Sequence, residues 1–450
     1  MDTLLGLLIY GGGAAVVAAI IAICVTQATL GSPLFFALTA VPCVVYGLLV
    51  RELLAAPATS AGPRPPLPRL LVTALLFAVA FRLPLAFAHV GPASDMVRYI
   101  YDGRLQQLGY NPYAVIPSDQ AVAGTHTDAT RVMASRNART PYPAAAQLFF
   151  RLVVTIHESL LAMKLALVGC DLLTIAVLIA WLRSTDRSPW LALVYAWNPL
   201  VILEVAHSGH IDALGALWIA VAAWMLSTGR GTRATIAFVI AVASKLLPIV
   251  LLPLFWKRVR ARDAAIAALV LAALYLPFRS AGVLPLGAVP NVVAFIRFNG
   301  PLFKALAAAL TPQGAAAVAV LAGLAVAVWM RFTRSADDPA AWAWPMAVAL
   351  AAAPVVYPWY LLYLTPFLFT SPALPLIAWT YSVLPVYVVW HLSRHGYMWI
   401  VPAPVQWIEY GVVVVVTVLK VLTVPRVLRG AGAKGAKGAK GAKGAETAHL

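Results

Sequence analysis

Asp95 is the residue best suited to act as a general base. It follows the apolar run at residues 70–90 by a few positions, at the expected boundary between lipid and water. A carboxylate at that depth can remove a proton from a hydroxyl group that arrives from the aqueous side. Asp102 lies about 10 Å further along a helix, too far to share a proton with Asp95. Arg98 between them favours the ionised form of both carboxylates. The other interpretation, that Asp95 only caps a helix, fits the pattern equally well.

A second polar cluster lies within residues 197–212. Glu204, His207, His210 and Asp212 interrupt an apolar sequence there. Polar groups at a membrane boundary are costly unless they have partners or line a water-filled cavity. His210 and Asp212 could bind a phosphate group or orient an acceptor, and ordinary helix capping explains them equally well. Metal ligation by His207, His210 and Asp212 is conceivable, but the spacing matches no strong metal pattern. A divalent ion is therefore not predicted, nor is any cofactor.

Lys245 is a lone cation in the apolar stretch at residues 235–255. Such a residue marks a pathway or a ligand site, and it could neutralise an anionic phosphate group. Snorkelling of the ammonium to the membrane interface is the alternative. Pro248 and Pro253 in the same stretch favour two half-length helices that enter the membrane and return. An ordinary kinked span is the competing interpretation.

Later candidates lie in segments predicted on the same side of the membrane as Asp95. Arg297, His391 and Arg394 are cations in those segments, and Tyr357 belongs to an aromatic group beside them. Aromatic residues gather at the boundaries of any membrane protein, so Tyr357 carries less weight than the cations.

The composition is that of a membrane protein. Hydrophobic residues make up 62% of the 450 residues and charged residues 11%, whereas soluble domains carry roughly a quarter. Runs of about 20 apolar residues recur, each long enough to cross a bilayer as a helix. We predict an all-α polytopic membrane protein of about twelve transmembrane helices with a re-entrant segment. Residues 1–426 form its single catalytic domain, and no signal peptide is expected at its start.

The positions of Lys and Arg predict the orientation. Short basic loops at residues 51–69, 183–187, 230–233, 257–262 and 331–334, and the chain after residue 425, are placed in the cytoplasm. Both termini are then cytoplasmic, and the long loop at residues 90–158 is extracytoplasmic. The net charge of +17 reflects this pattern, so no nucleic-acid partner is predicted. Residues 427–450, with their Gly-Ala-Lys repeats, read as a basic, disordered tail that contacts anionic membrane lipid.

Residues 94–108 are predicted to form an amphipathic helix that lies in the membrane interface. Ser94 is the expected N-cap, and Asp95 falls in the first turn. Asp95, Arg98 and Asp102, spaced three and four apart, share one face. An apolar stripe on the opposite face would contact the lipid.

Motifs within residues 70–400 resemble those of GT-C glycosyltransferases in type and order. Residues 94–104 (SDMVRYIYDGR) and 109–113 (GYNPY) resemble the first outer loop of the bacterial polyprenyl-phosphate-mannose-dependent mannosyltransferase branch. The later motifs follow in the family's order: WNPL at 197–200, GHID at 209–212, RFNG at 297–300 and PWY at 358–360. Two departures are visible. Two spans precede the one before the Asp95 loop, where many relatives have one, and no large soluble C-terminal domain follows.

The resemblance implies an enzyme of the bacterial plasma membrane. It would transfer a sugar, with mannose favoured, from a polyprenyl-phosphate carrier to an envelope glycan or glycolipid on the extracytoplasmic side, with inversion and with Asp95 as base. The donor-binding or acceptor-binding residues would be Arg98, Asp102, Tyr113, His207, His210, Asp212, Lys245, Arg297, Tyr357, His391 and Arg394. The missing C-terminal domain leaves the acceptor open.

Two other functions compete with this one. A multi-span transporter or a flippase for lipid-linked sugars would also carry polar groups inside the membrane. A polymerase or ligase of envelope glycans would also work on the outer face. The long outer loop with its carboxylates favours sugar transfer over transport.

Overall fold

The computed structural model describes residues 2–55, 67–88, 94–280 and 285–442. These residues are helical throughout, apart from loops and an isolated bridge between Phe298 and Val355. Within the described ranges, eight helices are long and apolar enough to cross a membrane: Thr3–Val25, Pro33–Ala55, Arg69–Phe87, Leu160–Ser184, Ala261–Phe278, Pro312–Thr333, Ser371–Arg394 and Ala403–Thr423.

Other apolar stretches are broken into shorter pieces. Pro189–Ala196 and Pro199–His207 form one pair bent by 52°, which makes a ninth span if it is counted once. Four apolar helices are shorter: Ala144–Ile156, Asp212–Ser227, Gly231–Ser244 and Pro339–Ala351. The structure thus gives eight or nine candidate spans in place of the predicted twelve or so. Several stretches that read as continuous in the sequence are interrupted by breaks and by 3-10 turns.

Residues 231–255, here called the first returning segment, enter the bundle and come back. Helix Gly231–Ser244 stops at Lys245, and the 3-10 helix Leu247–Phe255 follows. Near its start, the Thr232 hydroxyl donates to Asp263 Oδ1 at 2.6 Å, and Asp263 lies in the helix that follows the segment. The segment therefore begins and ends on the same side of the bundle, as predicted for residues 235–255, with Lys245 at its tip.

Residues 339–369, the second returning segment, have the same plan. Helix Pro339–Ala351 is followed by the 3-10 helices Pro358–Tyr363 and Thr365–Phe367. Trp342 near its start stacks on Phe367 near its end, with ring centroids 5.9 Å apart, and Phe255 of the first segment packs edge-on against the same Trp342. The sequence analysis did not anticipate this second returning segment.

Several basic loops meet at one end of the bundle. The Arg258 guanidinium donates to the carbonyl oxygens of Arg331 and Arg334 at 3.5 and 2.6 Å. Arg187 pairs with Asp337 at 3.1 Å. The loops at 183–187, 257–262 and 331–334 therefore lie together, as the orientation prediction requires. The loop predicted at 51–69 lies partly outside the described residues.

The predicted helix after Ser94 forms, and here it is called the Asp95 helix (Asp95–Gln107). The Ser94 hydroxyl accepts the Met96 N–H at 3.2 Å, which is the expected N-cap. Its polar face, however, is buried rather than exposed at an interface. Arg98 pairs with Asp102 at 2.7 Å and donates to the carbonyls of Ser135 and Ala138. The long loop folds over the helix and supplies these partners. Residues 90–93 of that loop lie outside the described residues.

The last helix runs over Ala403–Ala442 and so includes most of the Gly-Ala-Lys repeats. Residues 427–442 therefore belong to the last helix, and the assignment of residues 427–450 to a basic cytoplasmic tail stays a prediction. Residues 443–450 lie outside the described residues.

Candidate active site

A cavity of about 1240 Å³ lies where the Asp95 helix meets the tips of the two returning segments. Asp95, Lys245, Tyr357 and Tyr360 all line it, and so does His210. These five residues come from four separate parts of the chain. The cavity thus brings together Asp95, part of the second polar cluster and the lone lysine, as the sequence analysis expected.

Asp95 is the first residue of its helix and is half-buried in the cavity wall. Its carboxylate has no hydrogen-bond or ion-pair partner among the described residues. The capping role is filled by Ser94, so that interpretation of Asp95 is not needed to explain the helix start. The group is thus free to accept a proton from a ligand.

The Asp95 helix is fixed against the turn that carries His210. Gly209 has φ of +71°, which favours glycine, and a Cβ there would lie 2.2 Å from Met96 Sδ, so any larger residue would be strained or would displace the Met96 side chain. The backbone N–H of Ile211 donates to the Tyr99 hydroxyl at 3.3 Å. These two contacts hold the start of the helix beside the second polar cluster.

Lys245 and Asp212 form an ion pair in the cavity wall. The ammonium lies 2.6 Å from Asp212 Oδ1 and 3.7 Å from the centroid of the Tyr360 ring. Asp212 begins helix Asp212–Ser227, where the helix dipole favours an anion. Its second oxygen, Oδ2, is buried without a hydrogen-bond partner among the described residues.

His210 is held between a carboxylate and an indole. Its Nδ1 lies 2.7 Å from Glu204 Oε2, and its ring stacks on Trp359 with centroids 4.0 Å apart. Burial acts to lower the pKa of His210, but the negative charges of Glu204, Asp95 and Asp212 outweigh it and raise the pKa above its ordinary value. The imidazolium form therefore persists to higher pH than it would in an unperturbed histidine.

One comparison with known proteins gives a match. A family model described as "Alpha-(1->6)-mannopyranosyltransferase, N-terminal domain", of the MptA/B family, matches residues 6–260. That span is more than half of the chain and includes Asp95, His210, Asp212 and Lys245. The chain belongs to the MptA/B family. No curated protein and no solved structure matches.

The MptA/B family consists of GT-C mannosyltransferases that use polyprenyl-phosphate mannose. The resemblance to that branch of the GT-C enzymes is confirmed, and so is the enzyme class. In this MptA/B-family chain, the matched region ends close after the first returning segment. The second returning segment and the residues after it lie beyond the match.

Two further cations line the cavity of this MptA/B-family chain. Arg394, a predicted site residue, and Arg139, which the sequence analysis did not select, are both exposed. Neither has a carboxylate partner among the described residues. Arg139 lies in the long loop without any motif around it, so no sequence signal marks it. Arg98 and His207 also line the cavity, although the Arg98 guanidinium is already engaged by Asp102.

Four predicted binding residues are not in the cavity wall. Asp102 is fully buried and also accepts from the Gln147 amide at 2.9 Å. Tyr113 is buried, and its hydroxyl donates to the Tyr142 carbonyl at 2.8 Å. Arg297 donates to the carbonyls of the helix before it, and His391 lies beside His395. The structure gives these four residues other partners, and their binding roles remain predictions.

Three aromatic or acidic residues in the wall were given too little weight. Trp359 and Tyr360 follow Tyr357, which was selected, but these two were attributed to an aromatic belt. Glu204 was noticed in the second cluster but was not selected. Among the described residues, no three His, Cys, Asp or Glu side chains are arranged to hold a metal ion.

Proposed function

We propose that this chain transfers mannose from polyprenyl-phosphate mannose to a mannose-bearing glycan or glycolipid of the cell envelope, with Asp95 as the catalytic base. The observation that carries the proposal is the unpaired Asp95 carboxylate in a cavity that also holds Lys245, His210 and Arg394. A base and a set of phosphate-binding cations in one cavity are what such a reaction needs. The family's α-(1->6) linkage corresponds to attack by a C6 hydroxyl group.

The reaction proceeds in one displacement. Asp95 takes the proton of the acceptor hydroxyl, and the oxygen attacks the anomeric carbon from the face opposite the phosphate. The bond from that carbon to the phosphate oxygen breaks, and polyprenyl phosphate leaves with the electron pair. The configuration at the anomeric carbon inverts. Phosphate is a good leaving group, so no strong acid is required.

Fixed positive charge stabilises the leaving phosphate as its charge grows. Lys245 is at the tip of the first returning segment, and Arg394 and Arg139 are the exposed cations nearby. The Lys245 ammonium is shared with Asp212, which fixes its position.

The apolar part of the cavity fits the lipid carrier. Ile23 of the first helix and Leu30 of the loop after it line the cavity, and so do Val289, Val292 and Ile296. A polyprenyl chain can lie among these side chains while its phosphate reaches the cations. This division into apolar and polar walls supports a lipid-borne donor over a water-soluble one.

The orientation follows the basic loops. The cavity lies at the tips of the returning segments, away from the end where Arg258, Arg331 and Arg334 meet. By the positive-inside rule that basic end is cytoplasmic. The active site is then extracytoplasmic in the bacterial plasma membrane, with both termini inside.

The test is reconstitution with a defined donor. Purified protein in lipid nanodiscs receives polyprenyl-phosphate mannose with labelled sugar and an α-mannoside acceptor. We expect labelled acceptor and an equal amount of polyprenyl phosphate, and no product with a 6-deoxy acceptor. In liposomes, a flippase would instead move intact donor between leaflets without releasing its sugar. That result would overturn the proposal.

A further inference from the structure

Glu204 is a buried carboxylate that the proposed reaction does not use. It lies in the π-helical turn Ile202–His207 and is 0% exposed. Its Oε1 accepts the Tyr387 hydroxyl, and its Oε2 lies 2.7 Å from His210 Nδ1. Leaving a carboxylate buried without a positive partner would cost several kcal/mol. His210 is its one ion-pair partner among the described residues.

His210 is restrained in three ways. Its backbone N–H donates to the Glu204 carbonyl at 3.0 Å, and Glu204 Oε2 holds its Nδ1 side. Trp359 covers one face of the ring at an interplanar angle of 10°. The other ring nitrogen, Nε2, makes no hydrogen bond to any of the described residues. Because His210 lines the cavity, Nε2 is available to a ligand there.

The N-terminal part of the chain supports this arrangement from behind. Gly31 has φ of +80°, and a Cβ there would lie 1.9 Å from the Tyr387 carbonyl oxygen. The Phe35 ring packs edge-on against the Tyr387 ring, with centroids 5.8 Å apart. The loop between the first two helices therefore fixes Tyr387, which in turn fixes Glu204. A chain of contacts leads from that loop to the cavity.

We propose that Glu204, held by Tyr387, is a positioning residue for the transfer: it fixes His210 as an imidazolium whose Nε2 donates a hydrogen bond to the phosphoryl group of the lipid donor. This inference rests on the proposed function. The hydrogen bond from an imidazolium in that position to the phosphoryl group becomes stronger as negative charge grows on the leaving phosphate. Histidine alone, without the carboxylate, would be neutral over more of the working pH range.

The charges around His210 determine the expected pH dependence. The titratable groups that face it or its partners are Glu204, His207, Asp95, Asp212, Lys245 and Tyr387. The pKa of His210 is raised, so the imidazolium is present below that pKa and is lost as the pH rises through it. Removing the Glu204 charge lowers the pKa of His210. The alkaline limb of the pH profile should then move to lower pH.

The test compares pH profiles of kcat and KM for wild type and Glu204→Gln, measured in nanodiscs with polyprenyl-phosphate mannose and an α-mannoside acceptor. We expect the alkaline limb to shift by about one pH unit or more, with kcat reduced at high pH and largely recovered at low pH. Glu158→Gln is the matched control, because Glu158 pairs with Arg104 away from the cavity. It should leave the profile unchanged.

A second comparison covers the case in which Glu204→Gln folds poorly. The less drastic Tyr387→Phe should shift the alkaline limb in the same direction by a smaller amount. In addition, Glu204→Gln should add little loss to His210→Gln, since the two residues act as one unit. Wild-type pH profiles in Glu204→Gln and Tyr387→Phe, or additive losses in the double variant, would overturn the inference. If wild type itself releases no mannose from the donor at any pH, the proposed function fails instead.

Discussion

Gly209 lies directly against the side chain of Met96, and this contact joins the turn that carries His210 to the first turn of the Asp95 helix. The helix start and the turn come from parts of the chain more than a hundred residues apart. Their contact sets the position of the Asp95 carboxylate relative to the phosphate-binding side of the cavity.

Replacing Gly209 by alanine should therefore disturb catalysis. Its φ of +71° disfavours any other residue, and the added Cβ would lie 2.2 Å from Met96 Sδ. We expect kcat to fall by about tenfold, since a misplacement of about 1 Å can cost a hundredfold. The control is Gly109→Ala, where φ is +84° but no atom lies within 4 Å of the added Cβ. Equal losses in the two variants would show that backbone strain, and not the Met96 contact, is responsible.

Lys245→Met should weaken donor binding. In the proposed mechanism the Lys245 ammonium, at the tip of the first returning segment, binds the donor phosphate, so the KM for polyprenyl-phosphate mannose should rise by about tenfold or more. Loss of the pair also leaves Asp212 uncompensated, which destabilises the protein by about 3–5 kcal/mol. Lys245→Met/Asp212→Asn should recover the melting temperature without recovering the KM. Lys257→Met, which removes an exposed cation outside the cavity, is the matched control. An unchanged donor KM in a folded Lys245→Met variant would contradict the assignment.

Asp102→Asn should affect stability rather than chemistry. Asp102 is buried, pairs with Arg98 at 2.7 Å and accepts from Gln147. Removing its charge leaves the Arg98 guanidinium without its partner, at a cost of about 3–5 kcal/mol. Thermal unfolding in detergent should show a lower melting temperature, while the folded fraction keeps nearly the wild-type kcat. A normal melting temperature together with lost transfer would instead place Asp102 in the reaction.

Arg394 and Arg297 allow a matched comparison of two arginines that are predicted on the same side of the membrane as Asp95. Arg394 lines the cavity without a carboxylate partner among the described residues. The Arg297 guanidinium is turned onto the carbonyls of Val293, Ala294 and Ile296. Arg394→Ala should raise the donor KM several-fold, and Arg297→Ala should leave it nearly unchanged. If Arg297→Ala raised the donor KM more than Arg394→Ala did, the donor phosphate would lie nearer to Arg297 than to Arg394.

Local signals were readable in the sequence. Ser94 was recognisable as an N-cap, and the spacing of Arg98 and Asp102 placed them on one helix face; both features depend on neighbours within a few residues. Lys245 stood out because a charge in an apolar stretch is rare. The prolines that follow it, Pro248 and Pro253, also indicated a returning segment, since proline inside an apolar stretch favours a kink or a break in the helix.

Features that depend on contacts between distant parts of the chain could not be predicted from the sequence. Glu204 has its hydroxyl partner Tyr387 183 residues away, so nothing near either residue marks the pair. The burial of Arg98 and Asp102 depends on how the long loop folds over the Asp95 helix. The second returning segment closes through Trp342 and Phe367, and in the sequence it reads as ordinary apolar helix, so the count of about twelve spans was too simple.

The most direct test of the account is the turnover of Asp95→Asn on polyprenyl-phosphate mannose. Asparagine keeps the size of the side chain but cannot accept the proton. Because a positioned general base contributes about 10²–10⁴-fold, we predict a kcat at least about a hundredfold below wild type, with unchanged donor KM and melting temperature. Asp119→Asn, which neutralises an exposed carboxylate of the same long loop, should keep full activity. A well-folded Asp95→Asn enzyme that transfers mannose at nearly the wild-type rate would contradict the central claim.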